Sequence, residues 1–191
     1  MPLISTSDLY KIAEEEIPYR LSTIFDDSYM QKTASKRLNE SRQLFSYSKK
    51  YDIFLSHSYD DAKAIYGLKI KLERLKYSVF VDWNEEEFSD RENVDTERAN
   101  ELRIQMNSCK ILIFVTSENS SESVWMPWEL GYFDGYKGKV AIMPLNEETT
   151  PKNEYIGQEY LGIYPYIKDY SGDLVMIYND NRIVRLQNWI L

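Results

Sequence analysis

The chain has 191 residues, a length that allows one domain with a proper core plus an appendage and argues against a second full domain. Its net charge of -8 opposes a general nucleic-acid or anionic-membrane surface, because Lys and Arg would have to be gathered on one face to overcome it. Apolar residues at 43% and a tyrosine-led aromatic content exclude general disorder. No apolar stretch approaches the length of a membrane span. The N-terminus has neither a basic start nor a hydrophobic signal core, so the sequence predicts a cytoplasmic protein. With one cysteine, Cys109, and one histidine, His57, neither an internal disulfide nor a zinc cluster of the usual ligand types is expected. Cys109 precedes an apolar run and reads as a structural thiol.

Residues 1–48 carry helical signals and no strand signals. Ser7 or Asp8 can cap a short helix ending before Pro18, and Ser28 to Phe45 gives a second, polar one with Met30, Ala34, Leu38 and Leu44 or Phe45 in loose register. These narrow stripes describe an accessory helical segment that packs either on the main domain or on a partner. The pattern changes at Tyr51, and residues 49–191 form the main unit. YDIFLSHS reads as a buried strand and loop, Ala62 to Leu75 as a crossover helix, and YSVFVDW as a second strand ending in Asp82 and Trp83. The acidic loop with Glu85 to Glu87 is too charged for a core, and helical spacing resumes from Val94 to Met106. KILIFVTS is the third strand, and a helix bearing Glu129 ends near Gly138. KVAIMPL is the fourth strand. A long connection from Asn146 to Gly172 leads to DLVMIY as the fifth, and Ile183, Leu186 and Ile190 mark a last helix.

Strands of nearly unbroken apolar residues separated by helices predict a flavodoxin-like α/β fold, a five-stranded parallel sheet with helices on both faces. Such sheets bind ligands at the carboxyl edge of the strands. Glu129 falls there among Trp125, Trp128, Tyr132 and Phe133, with positions 125, 129, 133 and 136 at helical spacing. It is either an ordinary amphipathic-helix residue or a partly desolvated carboxylate facing a cleft. No G-x-G-x-x-G, P-loop or G-x-S-x-G motif is present, and the third strand ends in Thr116 and Ser117 where a phosphoacceptor domain needs an aspartate.

Three segments in order carry a family resemblance. YDIFLSHS resembles the opening strand of TIR domains, YSVFVDWNEEEF is similar to their second strand and following loop, and TSENSSESVWMPWEL resembles the segment in which a Glu follows a Trp by four residues, here Trp125 and Glu129. The resemblance covers about residues 51 to 145. It implies the TIR fold and an enzyme that cleaves the nicotinamide-ribose bond of NAD, with Glu129 the catalytic residue and NAD the substrate, so that no cofactor and no metal is needed. Many bacterial members serve antiphage defence, including the Thoeris type, by making a cyclic or otherwise modified ADP-ribose. The same resemblance implies self-association through TIR-TIR contacts and an effector protein that responds to the product.

By the same carry-over His57, Ser58, Asp82 and Trp83 lie beside the ligand, with Ser123 and Trp125 near it. For several the plain reading stands alongside: His57 as a structural loop histidine, Trp125 as core, Ser123 as a helix cap. The chemistry is coherent in its own terms. Nicotinamide leaves as a neutral molecule from a cationic pyridinium, so one acid suffices where ordinary glycosidases use two. Glu129 would stabilise positive charge on the ribose. Neighbouring rings would strengthen that attraction and also raise the carboxyl pKa, so polar neighbours are needed to keep it ionised. The alternatives are a non-enzymatic module assembling through the acidic loop and helix faces, and a nucleoside-processing transferase of related architecture.

Overall fold

The computed structural model describes residues 1–17, 27–46, 48–83, 96–148, 152–157 and 159–191; the acidic run Glu85 to Glu87 lies outside them. In chain order the elements are β1 (Ile4–Ser5), α1 (Thr6–Glu16), α2 (Asp27–Gln43), β2 (Tyr51–Ser56), α3 (Ala62–Arg74), β3 (Val79–Val81), α4 (Thr96–Asn107), β4 (Cys109–Thr116), α5 (Trp125–Lys137), β5 (Val140–Asn146), β6 (Tyr166–Tyr170), β7 (Asp173–Ile177), β8 (Ile183–Arg185) and α6 (Leu186–Ile190). The sheet runs β3-β2-β4-β5-β6-β7-β8. Its first five strands are parallel, which is the flavodoxin-like arrangement the sequence predicts.

Alternation along the strands sorts the core into two layers. Ile53, Leu55, Ile111, Ile113, Val115, Ala141 and Met143 face one side, with Leu9 of α1, Ala34 and Leu38 of α2, and Ile65, Leu68 and Leu72 of α3. Phe54, Phe80, Leu112, Phe114 and Ile142 face the other, with Leu102 and Met106 of α4 and Met126, Leu130 and Phe133 of α5. Burial on both faces explains why β2 and β4 are almost continuously apolar.

The fifth parallel strand is Tyr166–Tyr170, inside the stretch predicted as a connection; DLVMIY is β7 and runs antiparallel to it. Lys168 and Asp169 hide β6 from a reading that looks for apolar runs. The reversal is made by Ser171 and Gly172, both at positive φ (55° and 90°), the conformation of a two-residue hairpin turn of the primed kind. Ile183 belongs to β8 and only the five residues of α6 are helical, so the last predicted helix is shorter than its spacing suggested. Ile4 and Ser5, where no strand was predicted, pair with Leu145 and Asn146 at the carboxyl end of β5.

The N-terminal helices pack on the sheet's own crossover helix. α1 crosses α3 at Gly67, where a Cβ would fall 2.0 Å from the Leu9 carbonyl oxygen. Buried Lys63 of α3 pairs with Glu14 of α1 and Asp27 of α2, each at 3.0 Å, and lies over the Tyr10 ring. Among the described residues no helix is long and apolar enough to cross a membrane.

Gly67→Ala is therefore expected to push α1 off α3, a backbone clash that the modest helix-propensity gain of alanine does not offset. Overpacking of this kind costs about 1–3 kcal/mol. Each kcal/mol lowers Tm by roughly 2–4 °C in a domain of this size. Calorimetry showing an unchanged or raised Tm would mean the two helices do not meet so closely.

Candidate active site

The loops after β2 and β4 leave the sheet toward opposite faces, into α3 and α5 respectively, and β2 and β4 are neighbours. A crevice opens at the carboxyl ends of adjacent strands wherever the chain divides in this way. The loops are tied across it: Asp61, buried in the short helical turn Tyr59–Asp61, accepts hydrogen bonds from Ser117 Oγ and Asn119 Nδ2, the latter at 2.7 Å. That carboxylate fixes the segment from Ser117 to Glu122 that leads into α5.

α5 then starts with its own devices. Ser123 is extended, and its Oγ accepts the Met126 amide at 3.3 Å, so it acts as the helix cap. Pro127 falls in the first turn, where its missing N–H has no intrahelical acceptor to lose. The helix ends at Gly138, left-handed at φ 61°, with its amide bonded to the Asp134 carbonyl at 2.9 Å.

Within this frame Glu129 is 5% exposed and points at the sheet. Ser56, last residue of β2, donates its hydroxyl to Glu129 Oε2 at 2.6 Å in a buried setting. Ser56 has the parity of Phe54, whose ring belongs to the α5-side core, so strand alternation directs it at this helix. A buried carboxylate needs such charge-assisted donors, and the bond is of the short kind they make. Glu129 also lies in the second turn of α5, near the positive end of the helix dipole.

The rings on α5 divide. Phe133 is buried below, while Trp128, Tyr132 and Tyr136 stack along the outer side at 5.7 and 6.1 Å, with Trp125 edge-on to Trp128 at 5.6 Å. Tyr136, expected on the face of Glu129, belongs to this outer ladder and is well exposed.

The remaining predicted residues gather at the ends of β2 and β3. The His57 ring stacks on Trp83 at 5.0 Å, and Tyr59 stacks on the same indole at 4.6 Å. Trp83 is sealed from solvent, and its Nε1 donates to Ser35 Oγ of α2 at 2.9 Å. His57 and Tyr59 keep some exposure, so they are the rings of the stack open to a ligand. His57 Nδ1 donates to the carbonyl of Ser58 at 3.1 Å, the ring also meets the backbone of Asp82, and Ser58 itself is buried. Asp82 is occupied by two guanidinium groups: Arg42 Nε of α2 at 3.1 Å and Arg98 of α4. It acts on the site as an anchor that holds the end of β3 between two helices. The structure thus brings Glu129 to Ser56 and His57 to Trp83, and it sets Ser123 at the helix cap and Trp125 on the outer ladder.

Ser56, Asp61, Ser117, Asn119, Ser35 and Arg42 were not singled out from the sequence. Ser56 was legible in principle, since period-two alternation from Phe54 assigns its face. The other five act through contacts between segments far apart in the chain, which no local pattern encodes.

Two titrations follow from burial. It pushes the His57 pKa below the ordinary 6.5, against the opposing pull of the Ser58 carbonyl and of the Asp82 and Asp61 carboxylates. With a folded-state pKa below the unfolded one, the unfolded chain binds the proton first, so stability falls as pH drops below about 6.5 and the loss ends once the folded-state pKa is passed. The His57 proton resonance is expected to titrate with a midpoint under 6.5; a midpoint above it would place the ring in contact with an unshielded anion. Burial also pushes the Cys109 thiol up to about 12. At pH 8 only about one thiol in ten thousand is ionised. Iodoacetamide should leave the folded protein unlabelled and label it in denaturant, and rapid native labelling would contradict that placement.

Residues 54–150 match the family model described as Thoeris protein ThsB, TIR-like domain. The chain is 47% identical over 163 residues to "Probable 3' cyclic ADP-D-ribose synthase ThsB'" of Bacillus cereus (strain MSX-D12), covering 82% of this chain and 84% of that protein. It is also 35% identical over 85 residues to "Putative cyclic ADP-D-ribose synthase TIR2" of Cytobacillus dafuensis, covering 44% of this chain and 22% of that protein.

Proposed function

The chain belongs to the Thoeris ThsB family of TIR-like proteins, and from that premise we propose that it cleaves the nicotinamide-ribose bond of NAD at Glu129 and closes the remaining ADP-ribose into a cyclic signal for antiphage defence. The observation that carries the reading is the Ser56–Glu129 hydrogen bond: a buried carboxylate held by a hydroxyl at the carboxyl edge of a parallel sheet. The names of the two relatives, both cyclic ADP-D-ribose synthases, supply the reaction class.

In the proposed reaction the C1′–N bond breaks with its electron pair going to the pyridinium nitrogen, so nicotinamide departs neutral and needs no proton. Positive charge appears on C1′ and the ring oxygen. Glu129 stabilises that charge by Coulomb attraction, which is worth more in a buried site than in water, and accepts hydrogen bonds from the ribose hydroxyls. Ser56 fixes the carboxylate before the substrate arrives, so little reorganisation remains to be done in the transition state. A nucleophile of the same ADP-ribose then takes C1′ and loses a proton, which the carboxylate is placed to accept. Capture by water in its place would give linear ADP-ribose, the hydrolase outcome. His57 and Ser58 at the end of β2 face the ribose and phosphates in this reading. Trp83 and Asp82 support them from below, and Trp125 borders the entrance. Self-association through TIR-TIR contacts and an effector protein that reads the product complete the proposal.

Incubating concentrated protein with NAD and separating products by chromatography and mass tests reaction and product together. Glu129→Gln, which keeps shape and removes charge, is expected to lower nicotinamide release by roughly 10²–10³-fold while the protein stays folded. Equal turnover by parent and variant would end the assignment. Ser56→Ala is expected to cost about tenfold to a hundredfold through the lost charge-assisted bond, chiefly in kcat. A parent that folds, self-associates and never consumes NAD would favour the non-enzymatic module.

A further inference from the structure

A cleft of about 460 Å³ opens on the far part of the sheet, over β6, β7 and β8 and beside the segment 153–156. Its lining includes none of Ser56, His57, Ser58, Trp83 or Glu129, and its strands lie beyond β5 from the β2–β4 pair that holds the Glu129 site. The volume is that of an ordinary small-molecule site.

Its floor holds Lys168 of β6, only 8% exposed. Among the described residues the ammonium has no carboxylate partner. It donates to the Asn153 carbonyl and lies 5.5 Å over the Tyr166 ring. An ammonium carries three donors, and a buried cation served by one carbonyl and one ring face is incompletely compensated. Tyr155 and Tyr166, with ring centres 5.7 Å apart, give the cleft aromatic surface beside the charge. Ile177 and Ile183 supply an apolar wall, and Asn181 brings an amide to the rim from the β7–β8 turn, where it sits left-handed at φ 62°. Glu154 also lines the opening and disfavours a ligand carrying several negative charges.

We propose that this cleft is a second ligand site that takes a nucleoside monophosphate, its phosphate on Lys168 and its base against the tyrosine rings. A flat ring pairs with Tyr155 and Tyr166, one anionic group pairs with the ammonium, and the Asn181 amide reaches the sugar between them. The site is independent of NAD cleavage, because it needs neither Glu129 nor turnover.

The test is calorimetric titration of the full chain carrying Glu129→Gln, with AMP, adenosine and inorganic phosphate as separate probes. AMP is expected to bind saturably with Kd below about 1 mM, and adenosine and phosphate at least tenfold more weakly. Lys168→Met should weaken AMP tenfold or more, and Lys168→Arg should retain most of it. Because Lys168 is buried, Ile183→Trp serves as the second variant: position 183 is 53% exposed, so the larger ring can fill the cleft without disturbing the core. It should also abolish AMP binding with Tm unchanged. Absence of saturable AMP binding overturns the proposal, as does AMP binding that survives both Lys168→Met and Ile183→Trp. Phosphate binding as tightly as AMP removes the role of the rings and overturns it equally.

Discussion

The hydrogen bond from Ser56 to Glu129 joins the end of the second strand to a helix 73 residues further on. A carboxylate in that position loses its water, and only donors already in place make the burial tolerable. Its geometry depends on the register that sets Ser56 beside Phe114, and on the packing of Met126, Leu130 and Phe133 that fixes the rotation of the helix. A turn of the helix by one residue would swing the acid through about 100° and part it from the strand. The apolar core therefore functions at this site as an alignment device as much as a source of stability.

Other polar contacts brace the same edge from outside. Asp61 ties together the two loops that diverge from it, and Asp82 is clamped between Arg42 and Arg98. α2 contributes Ser35 to the Trp83 indole and Arg42 to Asp82, and α1 is locked over α3 at Gly67. The N-terminal segment thus reaches into the support of the His57 ring stack. Charged residues buried in such number rarely repay themselves as isolated ion pairs, but each here fixes a strand end or a helix relative to another.

Much of the fold was written locally. Apolar runs bounded by polar turns gave β2 and β4, the spacing of Ile65, Leu68 and Leu72 gave α3, and Gly138 marked the end of α5. The sixth strand was hidden because Lys168 and Asp169 interrupt its apolar residues, and its pairing with β7 is what buries Ile167 between Leu174 and Met176. The two-residue strand at Ile4 had no local signal, since its conformation is imposed by the free edge at the end of β5.

The site divides in the same manner. Sequence alone determined that an acid would stand in the helix after the third strand of the parallel core, and that His57, Ser58, Asp82 and Trp83 would lie at strand ends, because hydrophobic period and turn chemistry are properties of neighbouring residues. Tertiary structure decided the rest. It settled that Glu129 turns inward to Ser56, that Trp83 is sealed beneath His57, and that Asp82 is taken by two arginines, because each outcome is fixed by contacts between segments that only the packed sheet brings within bonding distance.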